Sequence, residues 1–329
     1  MNTFSFEMVD PFDLDASRGW MDGFVSGHIT QGYFTDTRYS AKLEFVNPGY
    51  IDGSLIRIYH HDGETSEEMG TFYVISHEPS FIDGQTVESF ELQSTLARVS
   101  ENVYASHFAF SDKTNLDALA LALGREGFTY EILATCPVYN FRGTRVYEIG
   151  EDVLSVIFDI ADVSGCRVDV DPHGVIEVIP SDINSRTPVF EFADDNGTIS
   201  GEVSAETLET YNKAVVLYTS GNTEVCGSAE LPSTHKRSYA QTGRKVAKVY
   251  RVTDLSPQTS AAAQKIAQQY LNLISDESRT YTFESVYVPG RAGDIYALTL
   301  QGVTRFVMLQ SRDIPLSPGM KVKQTVREV

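Results

Sequence analysis

Forty-five acidic side chains and seven histidines give this chain many groups capable of chemistry, so spacing has to decide which of them cooperate. His77-Glu78-Pro79 opens like the His-Glu step of a zinc-protease helix, but Pro79 breaks the helix that chemistry needs. His60 and His61 are adjacent, and on a strand they point to opposite faces, so they cannot simply share a metal. A pairing of His60 with His77 across a hairpin is the remaining route to a metal site, set against ordinary surface histidines. Adjacent carboxylates include Glu67-Glu68 in a polar loop and Asp194-Asp195 in a DDNG turn. A glycosidase needs two carboxylates held across a sugar cleft, and no flanking motif supports one here. Nucleophile-elbow, P-loop, dinucleotide-binding and HExxH signatures are all missing, so no catalytic, cofactor or metal residues are assigned and no enzyme activity is expected.

Two further groups could make contacts rather than chemistry. Trp20 is the single tryptophan, better read as a hydrophobic anchor than as a sugar platform. Lys236, Arg237, Arg244, Lys245, Lys248 and Arg251 form the one basic cluster, interleaved with Tyr239 and Tyr250. That pattern leaves nucleic-acid contact open, but the preferred reading is a basic surface that meets an acidic neighbouring subunit. Cys136, Cys166 and Cys226 are too few and too far apart for a metal knuckle or a disulfide framework, and buried reduced thiols are expected.

The acidic balance, net −19 over 329 residues, is unevenly spread. Residues 1–110 carry 17 acidic and 5 basic side chains, residues 111–200 carry 16 and 6, and residues 201–329 carry 12 and 15. The first two thirds should repel nucleic acid. Such a surface is either simply solvated or a wall past which DNA slides without sticking. No apolar run approaches the ~20 residues of a membrane helix. The N-terminus has neither a basic patch nor an apolar core, so a signal peptide is not expected and folding in a cytoplasm is.

The elements that must position these groups are mostly strands. Residues 41–46, 54–60, 70–77 and 86–95 alternate apolar and polar side chains, separated by turns at Asn47-Pro48-Gly49, Asp62-Gly63 and Asp83-Gly84. Residues 115–125 predict a capped helix with Gly127 beyond its end. Residues 152–163 predict a second, with Val153, Leu154, Ile157 and Ile160 in one stripe, acidic Glu151 and Asp152 at its start and Gly165 stopping it. A hairpin turning at Pro172-His173-Gly174 follows. Strands return from about residue 187. They are interrupted by one helix near 257–275, with Ser256 as N-cap, Pro257 at its first position, and Ala263, Ile266, Ala267, Tyr270 and Ile274 on one face. The fold class is therefore α+β and mainly β. Two similar β-barrel or sandwich domains, residues 1–108 and 187–329, flank a small α/β insert domain at 109–186.

Two stretches carry a resemblance. YNKAVVLYTSGN (211–222) is a strand that opens on a Tyr-Asn pair, and VYVPGRAGDIYAL (286–298) is a strand, a Pro/Gly-rich turn and a second strand. With LEFVNPGYIDGSLIRIYHHDG (43–63) continuing into GTFYVISHE (70–78) and TVESFELQST (86–95), EDVLSVIFDIADVSGC (151–166) leading into RVDVDPHGVIEVIP (167–180), and LSPGMKVKQTV (316–326) at the close, the chain resembles the tail-hub or baseplate-hub proteins of tailed phages and contractile injection systems. The likeness spans about residues 35–329 and rests on element order; the first 30 residues are not placed by it. It implies a homotrimer in which each subunit supplies two related β domains. Three chains then present six similar units, adapting a sixfold tail tube to a threefold tip around the channel through which viral DNA is ejected without specific binding. It implies a virion structural protein of the tail tip, assembled in the host cytoplasm, without cofactors and without membrane insertion. Its partners would be the tail tube or distal tail protein, a tail-tip fibre or spike protein, and the tape measure protein. No lysozyme or peptidase domain is appended, so lytic activity is not carried over. A cell-wall glycan hydrolase of the tail tip, or a carbohydrate-binding adhesin module, are the alternatives from other classes.

Overall fold

The computed structural model describes residues 3–63, 65–82, 84–138, 140–141, 143–181, 187–207, 211–220, 223–253, 259–275 and 279–329. The chain forms two compact units, Met1–Ser204 together with Tyr281–Val329, and Ala205–Thr280.

The larger unit opens on seven strands: β1 (Thr3–Asp10), β2 (Asp13–Met21), β3 (Phe24–Gly32), β4 (Tyr39–Val46), β5 (Leu55–His61), β6 (Ser66–Ile82) and β7 (Gln85–Ser94). Among the first thirty residues, unplaced by the sequence resemblance, β1, β2 and the start of β3 belong to the main sheet, with β1 pairing β5 and β3 pairing β4. The short helix α1 (Leu96–Ser100) follows, then β8 (Phe108–Ser111), α2 (Asn115–Arg125), β9 (Tyr130–Ile132), β10 (Thr144–Tyr147), α3 (Val153–Val163), β11 (Cys166–Val170) and β12 (Ile176–Pro180). Next come β13 (Glu191–Ala193) and β14 (Ile199–Thr207). The smaller unit holds β15 (Lys213–Ser220), β16 (Thr223–Glu230), α4 (Tyr239–Thr242), β17 (Ala247–Thr253) and α5 (Ser260–Ser275). The chain closes with β18 (Arg279–Val286), β19 (Ile295–Leu300), β20 (Val303–Pro315) and β21 (Lys321–Glu328). The class is α+β and mainly β.

Thirteen strands of the larger unit make one sheet, ordered β14-β18-β21-β20-β3-β4-β7-β6-β5-β1-β2, with β19 also on β20 and β13 on β19. Antiparallel pairing of β20 with β3, Ile314 opposite Ile29, joins the two ends of the chain in one ladder. Alternation places the core: β4 buries Tyr39, Ala41, Leu43 and Phe45 and turns the residues between them outward. That core continues through Phe72, Phe90, Phe108 and Phe110 into the stripe Val153, Leu154, Ile157 and Ile160 of α3. The predicted helices at 115–125 and 152–163 form with capped N-termini. The Thr114 hydroxyl accepts from the Asp117 N–H at 3.0 Å, and the Asp152 carboxylate accepts from the Ser155 N–H at 2.6 Å.

In the smaller unit β15 lies between β16, antiparallel, and β17, parallel. Helix α5 packs on β15 and β16 with Ala263, Ala267 and Leu271 fully buried. Gly227 on β16 permits this contact: a Cβ there would meet the Ala263 carbonyl carbon at 2.2 Å. Ser256, Pro257, Asp83 and the Gly221-Asn222 turn lie outside the described residues.

Candidate functional site

The Tyr-Asn pair that opens β15 organises the basic segment. Asn212 is buried; its Nδ2 donates to the Arg237 carbonyl at 3.0 Å and to the Arg244 carbonyl at 2.6 Å, and its Oδ1 accepts from the Val246 N–H at 2.8 Å. One amide therefore satisfies three backbone groups of the loop that carries the cations. The loop turns at Gly243, left-handed with φ 66°, directly after α4. Lys245 Nζ sits 4.9 Å over the Tyr239 ring and 3.5 Å from Glu230 Oε1, while Lys248 Nζ sits 5.1 Å over the Tyr211 ring. Lys213 holds the same Glu230 oxygen at 2.7 Å; that hydrogen bond, then the charges of Lys213 and Lys245, keeps the Glu230 carboxyl below its usual range. Arg237 is half-buried, whereas Lys236, Arg244, Lys245, Lys248 and Arg251 are exposed. The cluster is not a single face: on β17, Lys248 and Arg251 are three residues apart and stand on opposite sides of the strand. With seven acidic and nine basic side chains the smaller unit is net +2, and the larger unit is net −21.

The second signature stretch is a clamp as well. Buried Arg312 donates to Gln31 Oε1 at 2.7 Å, to the Val288 carbonyl at 2.9 Å and to the Gly290 carbonyl. Buried Arg167 bonds Asp169 and donates to the Ala292 carbonyl at 2.7 Å, with its guanidinium 4.2 Å from the Tyr33 ring centre. Arg291 bonds Glu177, and Tyr287 donates to Glu67 Oε1 at 3.3 Å. The VPGRAGD turn is thus held by arginines from β20 and β11, which satisfy carbonyls that a buried loop would otherwise leave bare. A cavity of about 180 Å³ remains there, lined by Tyr39, Glu67, Tyr287, Arg291, Asp294 and Arg312. Burial pushes the Glu67 carboxyl up, against Tyr287 and Arg312, which pull it down. On the sheet surface an open trough of about 770 Å³ is lined by His28, Lys42, Glu44, Glu78, Glu91 and Asp313, carboxylates outnumbering cations.

The sequence-level candidates for chemistry are dispersed. His60 faces Glu67 across β5 and β6, while His77 faces Phe90 across β6 and β7, so the two histidines do not pair. His60 is buried rather than on the surface. Its ring meets Phe4 and Tyr287, and burial lowers its basicity. His77 stacks on Phe90 and bonds Glu88 at 2.6 Å. No group of three or more metal-ligating side chains is placed to hold an ion among the described residues. Glu67 and Glu68 diverge, Glu67 to Tyr287 and Glu68 to His173 at 3.2 Å. Asp194 accepts from the Gln301 N–H at 2.9 Å, a turn contact. Trp20 is 55% exposed and rests on Tyr59. Cys136 and Cys166 are buried as expected, the Cys166 thiol pushed up to about 12 by burial, but Cys226 is exposed because its position on β16 faces away from α5. The arginine clamp went unread because Arg167, Arg291 and Arg312 lie far apart in sequence, although the PGRAGD turn that they hold did stand out.

Three solved structures share this architecture from end to end. A tail protein from Neisseria meningitidis matches with a TM-score of 0.73 at 17% identity, covering 99% of this chain and 97% of its own. A prophage tail protein from Shewanella oneidensis matches at 0.69 and 12% identity, covering 99% and 98%. A prophage tail protein from Listeria monocytogenes matches at 0.60 and 11% identity, covering 98% and 94%. No protein-family model matches the sequence, and no curated protein matches it. The chain therefore has the fold of phage tail proteins.

Proposed function

We propose that this chain, carrying the phage tail-protein fold over its whole length, is a structural hub of a phage tail tip. Three copies form a ring that adapts a sixfold tube to a threefold tip and surrounds the DNA channel. Residues 1–108 and 187–329 act as the two β lobes of each copy and residues 109–186 as the insert. The observation that carries this reading is the near-complete two-way coverage of a tail protein, 99% of this chain and 97% of that one. Charge supports it. DNA crossing a basic channel would bind through counterion release and stall, whereas a like-charged wall lets it pass. The larger unit, net −21, with its carboxylate-lined trough, is the surface for that wall. An acidic ring repels itself, and the basic segment from Lys236 to Arg251 relieves this by meeting an acidic neighbour.

The partners are a tail tube or distal tail protein, a tail-tip fibre or spike protein and a tape measure protein, and the site of action is the virion. None of the described helices is long and apolar enough to cross a membrane. Light scattering on the purified protein is expected to give three times the 36.5 kDa chain mass, and class averages a threefold ring. A protein that stays monomeric, or that degrades peptidoglycan and loses this on substitution of Glu67, Glu68, Asp194 or Asp195, overturns the reading.

A further inference from the structure

We infer that β17 is a docking edge: its outward-facing main chain pairs with a strand in the acidic larger unit of a second copy of this chain. The inference deepens the hub reading and rests on the basic segment being a subunit contact.

Strand β17 ends the three-stranded sheet β16-β15-β17, so among the described residues no strand lies on its outer side. The direction of its main-chain groups follows from Val246. The Val246 carbonyl accepts from the Asn212 and Lys213 N–H groups at 3.0 and 3.2 Å, and its own N–H donates to Asn212. Val246 therefore addresses β15, and by strand alternation Lys248 and Tyr250 do the same. The N–H and C=O of Ala247, Val249 and Arg251 point the other way, to the open edge.

Every residue from Ala247 to Arg251 is exposed, Val249 by 49% and Tyr250 by 40%. Edge strands that must stay unpaired are usually short, bulged, interrupted by proline or covered. β17 has seven residues, no proline and an unbroken register with β15 over 213–219. Tyr250 packs on Tyr270 of α5 at 4.9 Å, which steadies the strand from one face and leaves the edge itself open. Its protection is charge: Lys248 and Arg251 stand on its two faces, with Arg244 and Lys245 just before it. Cations on both faces repel a second basic edge and admit an acidic one. The larger unit of another copy supplies that charge, at net −21 against +2 for the unit bearing β17. A contact between two different surfaces of identical chains is head-to-tail, the kind that closes into a ring.

Val249→Pro tests the pairing. Proline there removes an outward N–H and leaves the ladder to β15 intact. Losing that main-chain bond should weaken assembly by about tenfold, measured by light scattering across a dilution series. Far-UV circular dichroism and amide protection of α5 should match the unaltered protein. In the unaltered protein, amides of Val249 and Arg251 should exchange freely in the monomer and become protected on assembly. The double variant Lys245→Glu/Lys248→Glu separates the two readings. If it fails to assemble while Val249→Pro assembles normally, edge pairing is wrong and the charged contact stands. If both assemble normally, or the unaltered protein never assembles, both readings fall. Should Val249→Pro unfold the smaller unit, amide protection decides: unchanged exchange on assembly, or protection already present in the monomer, overturns the proposal.

Discussion

The larger unit fills its interior with aromatic rings, the smaller with methyl groups. In the first, Phe6 packs on Phe24 at 4.5 Å and edge-on to Phe45 at 5.0 Å, and Phe45 meets Phe90 at 5.8 Å. In the second, the buried apolar side chains are Ala214, Val216, Ala229, Ala263, Ala267 and Leu271, with Gly227 under the helix. A broad sheet facing helices leaves a gap that only large side chains close, each contributing substantial apolar burial. A three-stranded sheet with one helix cannot bury much area, so it brings the helix backbone close and relies on fit. Charge divides the same way. The larger unit buries Arg167 and Arg312 as loop clamps, and the smaller keeps most of its cations exposed. This contrast separates the part built for rigidity from the part read here as built for contact.

The largest effect should come from opening the aromatic core. Phe72→Ala removes a fully buried ring between β5 and β7, and its loss should cost about 3–5 kcal/mol. Hydrogen exchange should show faster opening of β4 to β7 while α5 keeps its protection. Equal acceleration in α5 would mean that the two units do not unfold as separate bodies.

The smaller core should break by addition, not removal. Gly227→Ala places a Cβ 2.2 Å from the Ala263 carbonyl carbon, and backbone cannot yield as a side chain can. Overpacking of this kind costs about 1–3 kcal/mol, confined here to β15, β16 and α5. A thermal melt unchanged by this substitution would show that α5 sits further from the sheet than described.

Local chemistry made the helices legible, because their signals sit close by: acidic Glu151 and Asp152 at the start of α3, and Gly127 and Gly165 as stops with φ of 72° and 64°; the structure adds Thr114 and Asp152 as the caps. Strand β4 was legible by alternation, whereas β5 buries four consecutive residues, Leu55 to Ile58. Strand β2 was not legible: at the edge of the sheet it buries only Leu14 and Met21, too sparse for a period of two. Pairing of β20 with β3 links residues about 285 apart, and nothing local in either strand specifies it. The same holds for the basic cluster. The basic cluster was visible as composition, but its division between the two faces of β17 and its attachment through Asn212 depend on which strands are neighbours. His60 was misplaced for a related reason, since its burial comes from Tyr287, more than two hundred residues away.

The smallest expected effect has opposite signs in the two units. Glu67 is partly buried beside Tyr287, with Arg312 and Asp62 also acting on it, and its folded value lies above the ordinary 4.5. At neutral pH the folded state therefore holds a charge that burial disfavours. Lowering the pH through the folded value lets the folded state take the proton first, so the larger unit gains stability until both states are protonated near 4.5. Glu67→Gln keeps an oxygen for the Tyr287 hydroxyl and removes the charge. It should stabilise the larger unit at neutral pH, by under about 1 kcal/mol once solvent screening is allowed for, and the gain should vanish below 4.5. Glu230 in the smaller unit runs the other way. Its folded value lies below 4.5 because of Lys213 and Lys245, so its contribution is present at neutral pH and is lost as the pH falls through that lowered value. Glu230→Gln should therefore slightly destabilise the smaller unit at neutral pH and leave it unchanged in acid. Amide exchange of β6 and of β16, followed from neutral pH downward in the two variants, reads both signs in one experiment. Parallel pH responses in the two units would mean that net charge, and not these local partners, governs their electrostatics.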